Sequence, residues 1–256
     1  MNTGLKVFIT GASSGIGLAI AAEYARRGAI LGLVARRADA LASFQLAHPQ
    51  NSIAIYPADV RDPDALAAAA QQFIAQYGCP DVVIANAGIS QGAVTGHGDL
   101  RAFREVMDVN YFGMVATFEP FAAAMMAARK GSLVGVASIA GVRGLPGSGA
   151  YSASKAAALK YLEALRVEMR PKGVNVVTIA PGYIRTPMTA HNPYRMPFLM
   201  DADRFATKVA DAIARNTRFA VFPWQMRVVA MLLHVLPRWL YDRAFEKAPR
   251  KPRAAD

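Results

Sequence analysis

Cysteine is nearly absent from this 256-residue chain, since Cys79 is the only one, and an intrachain disulfide is therefore excluded. A single thiol suits a reducing compartment without requiring one. Paired cysteines are lacking and the four histidines (His48, His97, His191 and His234) are scattered, so no metal site is expected. The N-terminal residues lack the long apolar core of a signal peptide, and no apolar run is long enough to span a bilayer. These absences together favour a cytoplasmic protein.

Acidic side chains are also scarce. The chain has 18 of them against 29 basic ones, which gives a net charge of +11. Such an excess of positive charge can serve to bind nucleic acid, an anionic membrane or an anionic cofactor, or it can simply keep the protein soluble. No nucleic-acid recognition motif accompanies the charge, which is spread through loops and the C-terminal tail, so nucleic-acid binding is not expected. The length and the hydrophobic fraction of 54% fit one large domain with a sizeable core.

The chain alternates between strand-like and helical patterns. Apolar runs typical of buried strands lie at Lys6–Thr10, Ile30–Ala35, Ser52–Pro57, Asp81–Ala85, Ser132–Ser138, Val174–Ala180 and Phe219–Phe222. Helical spacing lies between them, at Ile16–Arg27, Asp62–Tyr77, Asp99–Arg129, Ser152–Arg170 and Phe205–Arg215. Continuous apolar strands separated by helices predict a parallel sheet covered on both faces. We therefore expect an α/β, doubly wound, Rossmann-like domain over residues 1–222, with its ligand at the carboxyl ends of the strands.

A glycine-rich turn joins the first strand to the first helix in the run Thr10-Gly11-Ala12-Ser13-Ser14-Gly15-Ile16-Gly17. Gly11 permits a tight turn, and Gly15 and Gly17 let the backbone approach a pyrophosphate at the helix N-terminus. The spacing is G-x-x-x-G-x-G rather than the usual G-x-G-x-x-G. Such glycines can also be loop geometry alone, but their place between a strand and a helix indicates nucleotide binding. The candidate contacts are Gly11, Ser13, Ser14, Gly15, Ile16 and Gly17.

The residues after the second strand bear on the choice between NAD and NADP. An acidic residue there would bind the ribose of NAD, but this chain has Arg36 and Arg37 after Ala35. Two guanidinium groups suit a 2′-phosphate, which they bind through charge-assisted hydrogen bonds. We predict NADPH over NADH; the alternative is that both arginines are solvated surface residues.

Tyr151 and Lys155 stand four residues apart in the run Tyr-Ser-Ala-Ser-Lys, which places them on one face of a helix. A phenol in water titrates near pH ~10. A nearby ammonium and a hydrogen bond to the phenolate both lower that pKa, which would make the oxygen a proton donor and acceptor near neutral pH. Alone, the spacing also fits an ordinary surface pair, so the interpretation depends on the other motifs.

Taken in order, the motifs resemble those of the short-chain dehydrogenase/reductase family, up to about residue 222. They are Thr10–Gly17, Asp59-Val60, Asn86-Ala87-Gly88, Asn110, Ser138, Tyr151 with Lys155, and Pro181-Gly182 followed by Thr186. One departure is Ala85, where many members have another asparagine. The resemblance implies an enzyme of the NADP-preferring type, here with an extended apolar C-terminus that compact members lack.

The resemblance also implies a role for each motif. Ser138 would hydrogen-bond the substrate oxygen, and Tyr151 would pass it a proton. Lys155 would hold the nicotinamide ribose and lower the pKa of Tyr151, while Asn110 would fix a water that links Lys155 to solvent. The remaining contacts to NADP(H) would be Asp59 and Val60 beside the adenine, then Asn86, Ala87, Gly88, Pro181, Gly182, Ile184 and Thr186. Each has a structural alternative: Ser138 could cap a strand end, Asn110 could brace a helix kink and Asp59 could cap a turn.

We therefore predict an NADPH-dependent oxidoreductase that interconverts a carbonyl and an alcohol, with Tyr151 as general acid and base. The rival prediction is a catalytically silent NADP-binding sensor or scaffold of the same fold, which an intact Ser138, Tyr151 and Lys155 disfavours. In relatives the helices at about 99–129 and 152–170 form the dimer face, so a homodimer or homotetramer is expected.

The segment after Thr186 bears on the substrate. Its apolar residues would form an adaptable lid over a small apolar carbonyl or alcohol, unless they pack against the protein itself. These residues are Met188, Met196, Phe198, Leu199 and Met200.

The C-terminal extension, residues 223–247, is apolar and helical in pattern and is interrupted by Pro237, with Arg238, Arg243 and Lys247 nearby. Such helices can lie in a lipid interface, which predicts peripheral contact with the inner face of a membrane and suits a lipid-like substrate. Alternatively, the two helices are buried in a subunit interface or over the active site. The last residues, 248–256, are expected to form a disordered basic tail.

Overall fold

A parallel sheet forms the centre of the protein. The computed structural model of the chain describes residues 4–190, 192 and 195–253. The strands are β1 (Lys6–Thr10), β2 (Ile30–Ala35), β3 (Ile53–Pro57), β4 (Val82–Ala85), β5 (Ser132–Val136), β6 (Asn175–Pro181), β7 (Ile184–Arg185), β8 (Met200–Asp201) and β9 (Phe219–Phe222). Seven of them form one sheet in the order β3-β2-β1-β4-β5-β6-β9, and β7 pairs with β8. This confirms the predicted doubly wound, Rossmann-like fold, with its reversal of strand order between β1 and β4.

Helices cover both faces of the sheet. They are α1 (Gly15–Arg26), α2 (Ala38–Ala47), α3 (Pro63–Tyr77), α4 (Leu100–Met107), α5 (Gly113–Ala128), α6 (Gly149–Met169), α7 (Ala202–Ala214), α8 (Gln225–Val235) and α9 (Arg238–Phe245). One face packs against α1, α2 and α7, where Ile20 and Phe205 are fully buried. The other packs against α3, α5 and α6, where Phe73 and Phe121 are fully buried. Burial on both faces is what the continuous apolar strands require.

The long helical segment predicted over Asp99–Arg129 is divided by a π-helical turn at Asp108–Phe112. Within the described residues, Leu100–Ala128 is the one segment long and apolar enough to cross a membrane. Its α5 side chains Phe118, Phe121 and Met125 are instead buried in the core. Short π-helical turns occur frequently at functional sites, and this one contains Asn110.

Three elements are not predicted from the sequence pattern. The helix α2 buries only Leu41 and Phe44, so its apolar pattern is weak. The strands β7 and β8 have two residues each, and their pairing depends on a tertiary contact between Ile184 and Met200.

The C-terminal tail differs from the disorder expected over residues 248–256. The Lys251 ammonium donates to Ser90 Oγ at 2.8 Å, and the Arg253 guanidinium pairs with the Asp99 carboxylate at 2.9 Å. The basic residues of this tail thus find polar partners on the loop after β4, which fixes residues 251–253 against the domain. Residues 254–256 lie outside the described residues.

Candidate active site

A cleft of about 570 Å³ opens at the carboxyl ends of the strands, where their order reverses. Nucleotides bind at this point of a doubly wound sheet. The predicted residues that line it are Gly11, Ser13, Ser14, Gly15, Ile16, Arg36, Arg37, Asp59, Val60, Asn86, Ala87, Gly88, Ser138, Tyr151, Lys155, Pro181, Gly182, Ile184 and Thr186. Gly17 and Asn110 are not among its lining residues and support the wall from behind.

The glycine turn is held by packing that only glycine permits. Gly11 has a φ of +70°, in the left-handed region that favours glycine. A Cβ on Gly17 would lie 2.2 Å from the Gly11 carbonyl oxygen, so α1 can begin directly behind the turn only without a side chain there. Asn86, after β4, donates from Nδ2 to the carbonyl oxygens of Thr10 at 3.1 Å and Gly11 at 3.3 Å. The amides at the N-terminus of α1 can therefore face an anion in the cleft.

The two arginines after β2 have different partners. Arg37 donates from Nη2 to the carbonyl oxygen and Oγ of Ser13, at 2.9 and 3.1 Å, which ties it to the glycine turn. Arg36 is exposed, and its Nη1 lies 3.9 Å from Asp59 Oδ2. The Asp59 carboxylate is already bound by the Arg61 fork at 2.6 and 3.1 Å, and this hydrogen-bonded pair lowers the pKa of Asp59. Arg36 is therefore only loosely paired.

Ser138 and Tyr151 bring two hydroxyl groups together at the other end of the cleft. Burial raises the pKa of Tyr151, and a hydrogen bond with Ser138 acts in the opposite direction. Ser138 Oγ accepts from the Ala140 amide at 3.1 Å, so its own proton stays available to an oxygen in the cleft. The structure thus differs from the sequence prediction for Tyr151, because burial outweighs the hydrogen bond and the pKa is raised rather than lowered.

Lys155 lies one helical turn after Tyr151 on α6, with its Nζ 5.9 Å from the centre of the Tyr151 ring. The residue is 4% exposed, and Nζ donates to the Val136 carbonyl oxygen at 2.9 Å. Burial lowers the pKa of Lys155 from 10.5 to about 8. The ammonium is thus still the main form at neutral pH, although the fold holds it at a cost in stability.

Asn110 is fully buried and joins three parts of the site. Its Oδ1 accepts from the Ile89 amide at 2.8 Å, and its Nδ2 donates to the Ile89 carbonyl and to Ser154 Oγ, both at 2.9 Å. Ser154 Oγ in turn donates to the Tyr151 carbonyl oxygen at 2.8 Å. Asn110 is therefore a positioning residue that connects the π-helical turn, the loop after β4 and α6. Its link to Lys155 through a water stays a prediction.

Known proteins resemble this chain in sequence and in fold. The family model described as short chain dehydrogenase matches residues 6–195. The chain belongs to the short-chain dehydrogenase family. This short-chain dehydrogenase is 36% identical to an uncharacterized oxidoreductase of Myxococcus xanthus, over 92% of the chain and 94% of the relative. It is 33% identical to 11-beta-hydroxysteroid dehydrogenase-like 2 of Arabidopsis thaliana, over 95% of the chain and 82% of the relative. The predicted family and the oxidoreductase class are thereby confirmed.

Solved structures share the fold across nearly the whole short-chain dehydrogenase. A short chain dehydrogenase from Burkholderia cenocepacia in complex with NADP is 25% identical, covers 96% of this chain and 98% of its own, and has a TM-score of 0.82. A short chain dehydrogenase/reductase from Burkholderia phymatum in complex with NAD is 23% identical, covers 99% of both chains and has a TM-score of 0.83. The nucleotides of these two proteins differ, so the choice between NAD and NADP has to be argued from this chain's own residues.

The predicted apolar lid of this short-chain dehydrogenase is only partly formed. Met188 lines the cleft and is 43% exposed. Met200 is not part of a lid, because its pairing with Ile184 buries it in the core. Phe198 is exposed and is not among the lining residues. His191, Pro193 and Tyr194 lie outside the described residues.

Sequence reasoning missed several residues that hold or line the site. Arg61 binds Asp59, Thr10 Oγ1 accepts from the Asn86 amide at 3.3 Å, and Thr189 Oγ1 donates to the Ile184 carbonyl at 2.7 Å. The cleft is also lined by Ala35, Ala58, Ile89, Val109, Val136, Ala137, Pro187 and Thr189. Most of these residues lie within three positions of a predicted motif. The hydrogen-bonding residues among them could have been found by searching the polar neighbours of each motif.

Proposed function

We propose that this short-chain dehydrogenase is an NADPH-dependent oxidoreductase that interconverts a carbonyl and an alcohol by hydride transfer, on an apolar or lipid-like substrate. The observation that carries the proposal is the side chain of Tyr151, which lines the cleft together with Ser138 and lies one helical turn from the buried Lys155. It shares its cleft with the glycine turn. A proton-transfer group and an anion-binding turn in one cleft fit a dinucleotide-dependent reaction at an oxygen atom.

The chain's own residues would move and stabilise charge at that oxygen. When bound, the nicotinamide would supply the hydride for the carbonyl carbon. Tyr151 would donate its hydroxyl proton to the carbonyl oxygen as negative charge grows there, and Ser138 would donate a hydrogen bond to the same oxygen. The Lys155 ammonium would stabilise the phenolate that Tyr151 becomes. In the oxidation of an alcohol, Tyr151 would accept the proton instead.

The described residues fit a dinucleotide with a 2′-phosphate. The close approach at Gly17 leaves the turn open to a pyrophosphate. No acid directly follows β2, and Arg61 already neutralises Asp59, so Arg36 can bind a further anion beside Arg37. Two guanidinium groups at this place support NADP(H) over NAD(H).

An apolar substrate is supported by the cleft wall and by a relative. Ile89, Ile184 and Met188 line the cleft together with Tyr151. A flexible methionine side chain adapts to apolar ligands of different shape. The Arabidopsis relative carries a name that refers to hydroxysteroids, which are apolar alcohols.

A panel of ketones and aldehydes tests the proposal, with NADPH consumption followed by the nicotinamide absorbance. Tyr151→Phe should lower turnover by roughly 10²–10⁴-fold and leave NADPH affinity nearly unchanged. Tyr161→Phe is the matched control, because Tyr161 is on the same helix and is not among the cleft residues. Substantial turnover by Tyr151→Phe would contradict the assigned role. NADPH binding by the wild type without turnover of any carbonyl would favour the sensor or scaffold.

We also propose that the protein is a homodimer or homotetramer through α4–α6. Phe112 in the π-helical turn and Val167 on α6 support such a face, since they are 57% and 63% exposed. Light scattering measures the molecular mass, and a monomer at micromolar concentration would contradict this assembly.

A further inference from the structure

We infer that α8 and α9 dock the protein on an anionic lipid bilayer. The C-terminal apolar face, as we call it, comprises the exposed side chains of Trp224, Val228, Met231, Leu232, Val235 and Trp239, which are 43% to 69% exposed. With Leu240 they make seven of the sixteen exposed large apolar side chains of the described residues, within 17 positions of the chain. Apolar exposure is therefore concentrated here rather than scattered singly, as it is on ordinary surfaces.

The opposite side of α8 is already occupied by the protein. Met226 and Ala230 are 2% and 9% exposed, and Met226 packs against Gly182 of the cleft wall. A helix with one side packed on a domain normally presents polar residues on the other side. α8 presents valine, methionine and leucine there instead. With 11 residues it is also too short to cross a bilayer, so it would lie in the interface.

The charges beside the C-terminal apolar face favour lipid over a second copy of the chain. The two C-terminal helices and the residues directly after them carry five basic and two acidic side chains: Arg227, Arg238, Arg243, Lys247 and Arg250 against Asp242 and Glu246. Pairing two such faces would bring like charges together, whereas anionic headgroups would neutralise them. The two tryptophans, both 69% exposed, stand at the two ends of the face, and indole rings prefer the headgroup region.

Both C-terminal helices are bound to the loop that follows Ser138. Arg143 in this loop donates from Nη1 to the carbonyl oxygens of Leu233 and Leu236, both at 3.1 Å, at the C-terminal end of α8. Its guanidinium lies 4.4 Å from the centre of the Tyr241 ring, and the Tyr241 hydroxyl donates to the Gly144 carbonyl oxygen. Docking would therefore hold this side of the cleft at the bilayer. This orientation rests on the proposed function, because it would give an apolar substrate a short path from lipid to Tyr151.

The tryptophans make docking directly measurable, because the chain contains only two and both lie on this face. The intact protein is mixed with vesicles of phosphatidylcholine alone or with added phosphatidylglycerol, and binding is measured by flotation and by tryptophan emission. We expect flotation and blue-shifted emission with the anionic vesicles, both weakening as salt rises. Failure to float with either vesicle, with unshifted emission, would overturn the inference.

A double variant, Met231→Asp with Leu232→Asp, should reduce the bound fraction by at least about tenfold, since it removes buried apolar area and adds repulsion. Leu46→Asp is the matched control, because Leu46 is 79% exposed on the distant helix α2. Thermal melting by circular dichroism checks that both variants fold. Equal binding by the two variants would overturn the inference. The inference would also be overturned if the wild type did not bind vesicles and the double variant converted a dimer to a monomer. In that case a second copy of the chain would cover the C-terminal apolar face. Vesicle binding is measured without substrate and does not depend on activity. A protein that binds vesicles but reduces no ketone would therefore contradict the proposed function and not the docking inference.

Discussion

Exchange of Lys155 for methionine tests whether the fold holds the active-site ammonium at a cost in stability. Lys155 is 4% exposed, and burial lowers its pKa from 10.5 to about 8. In the unfolded chain the ammonium keeps its ordinary pKa. Between pH about 8 and pH 10.5 the unfolded state therefore binds more protons than the folded state. The free energy of unfolding therefore rises with pH across this window. The stability gained in this way is lost again as the pH falls through the folded-state pKa of Lys155.

The magnitude follows from the two pKa values. A difference of roughly 2.5 pH units, at about 1.36 kcal/mol per unit, is about 3 kcal/mol. The wild type carries all of this penalty at pH ~7 and only about 1 kcal/mol of it at pH ~10. Methionine has a similar length and no charge, so Lys155→Met removes the penalty at both pH values. Loss of the hydrogen bond to the Val136 carbonyl offsets about 1 kcal/mol of the gain, equally at both.

The assay is urea unfolding of wild type, Lys155→Met and the control Lys160→Met at both pH values. Lys160 is on the same helix, but its side chain is 83% exposed and pairs with Glu163, so its exchange should change stability by less than about 1 kcal/mol. We expect the advantage of Lys155→Met over wild type to shrink by about 2 kcal/mol from the lower to the higher pH, while its turnover is lost at both. An advantage independent of pH would refute the reasoning.

Three further substitutions address the nucleotide site and its support. Arg36→Ala should weaken NADPH binding by roughly 10–100-fold in fluorescence titration and leave NADH unaffected, because it removes a charge-assisted bond to a phosphate; equal loss of both would contradict this. Gly17→Ala should abolish binding of both nucleotides, since its Cβ would lie 2.2 Å from the Gly11 carbonyl oxygen, whereas Gly144→Ala, with no neighbouring atom within 4 Å, is the control. Asn110→Ala removes three buried hydrogen bonds and should lower the free energy of unfolding by roughly 2–4 kcal/mol, with turnover falling more than NADPH affinity; unchanged melting would count against its positioning role.

The sequence predicts the elements whose causes are local. β1 and β2 have the predicted bounds, because continuous apolar runs between turn residues specify buried strands. The helix predicted over Asp62–Tyr77 begins at Asp62, whose Oδ1 accepts from the Ala65 amide at 3.0 Å as an N-cap. The glycine turn is likewise a local signal, because left-handed backbone and close approach leave no room for a side chain.

The parts that escape prediction depend on contacts between distant residues. Lys155 finds its partner, Val136, on a neighbouring strand, and Arg143 binds the end of α8 some 90 positions later. Arg253 in the C-terminal tail pairs with Asp99, which is 154 positions away. Neither the hydrophobic periodicity nor any motif predicts such pairings, because they depend on how the helices and loops pack around the sheet.

The direction of the Tyr151 pKa shows most clearly why spacing alone does not define the active site. The i, i+4 spacing correctly places an ammonium near the phenol, but burial depends on the whole cleft and raises the pKa of Tyr151 while it lowers that of Lys155. The hydrogen-bond partner of the ammonium is the neutral Val136 carbonyl. A phenolate formed beside it would therefore gain an attraction that the resting phenol lacks. Tyr151 would keep its proton until negative charge develops on a substrate oxygen. The Lys155 ammonium would then stabilise the phenolate that remains, so this stabilisation acts in the proton-transfer step and not in the resting enzyme.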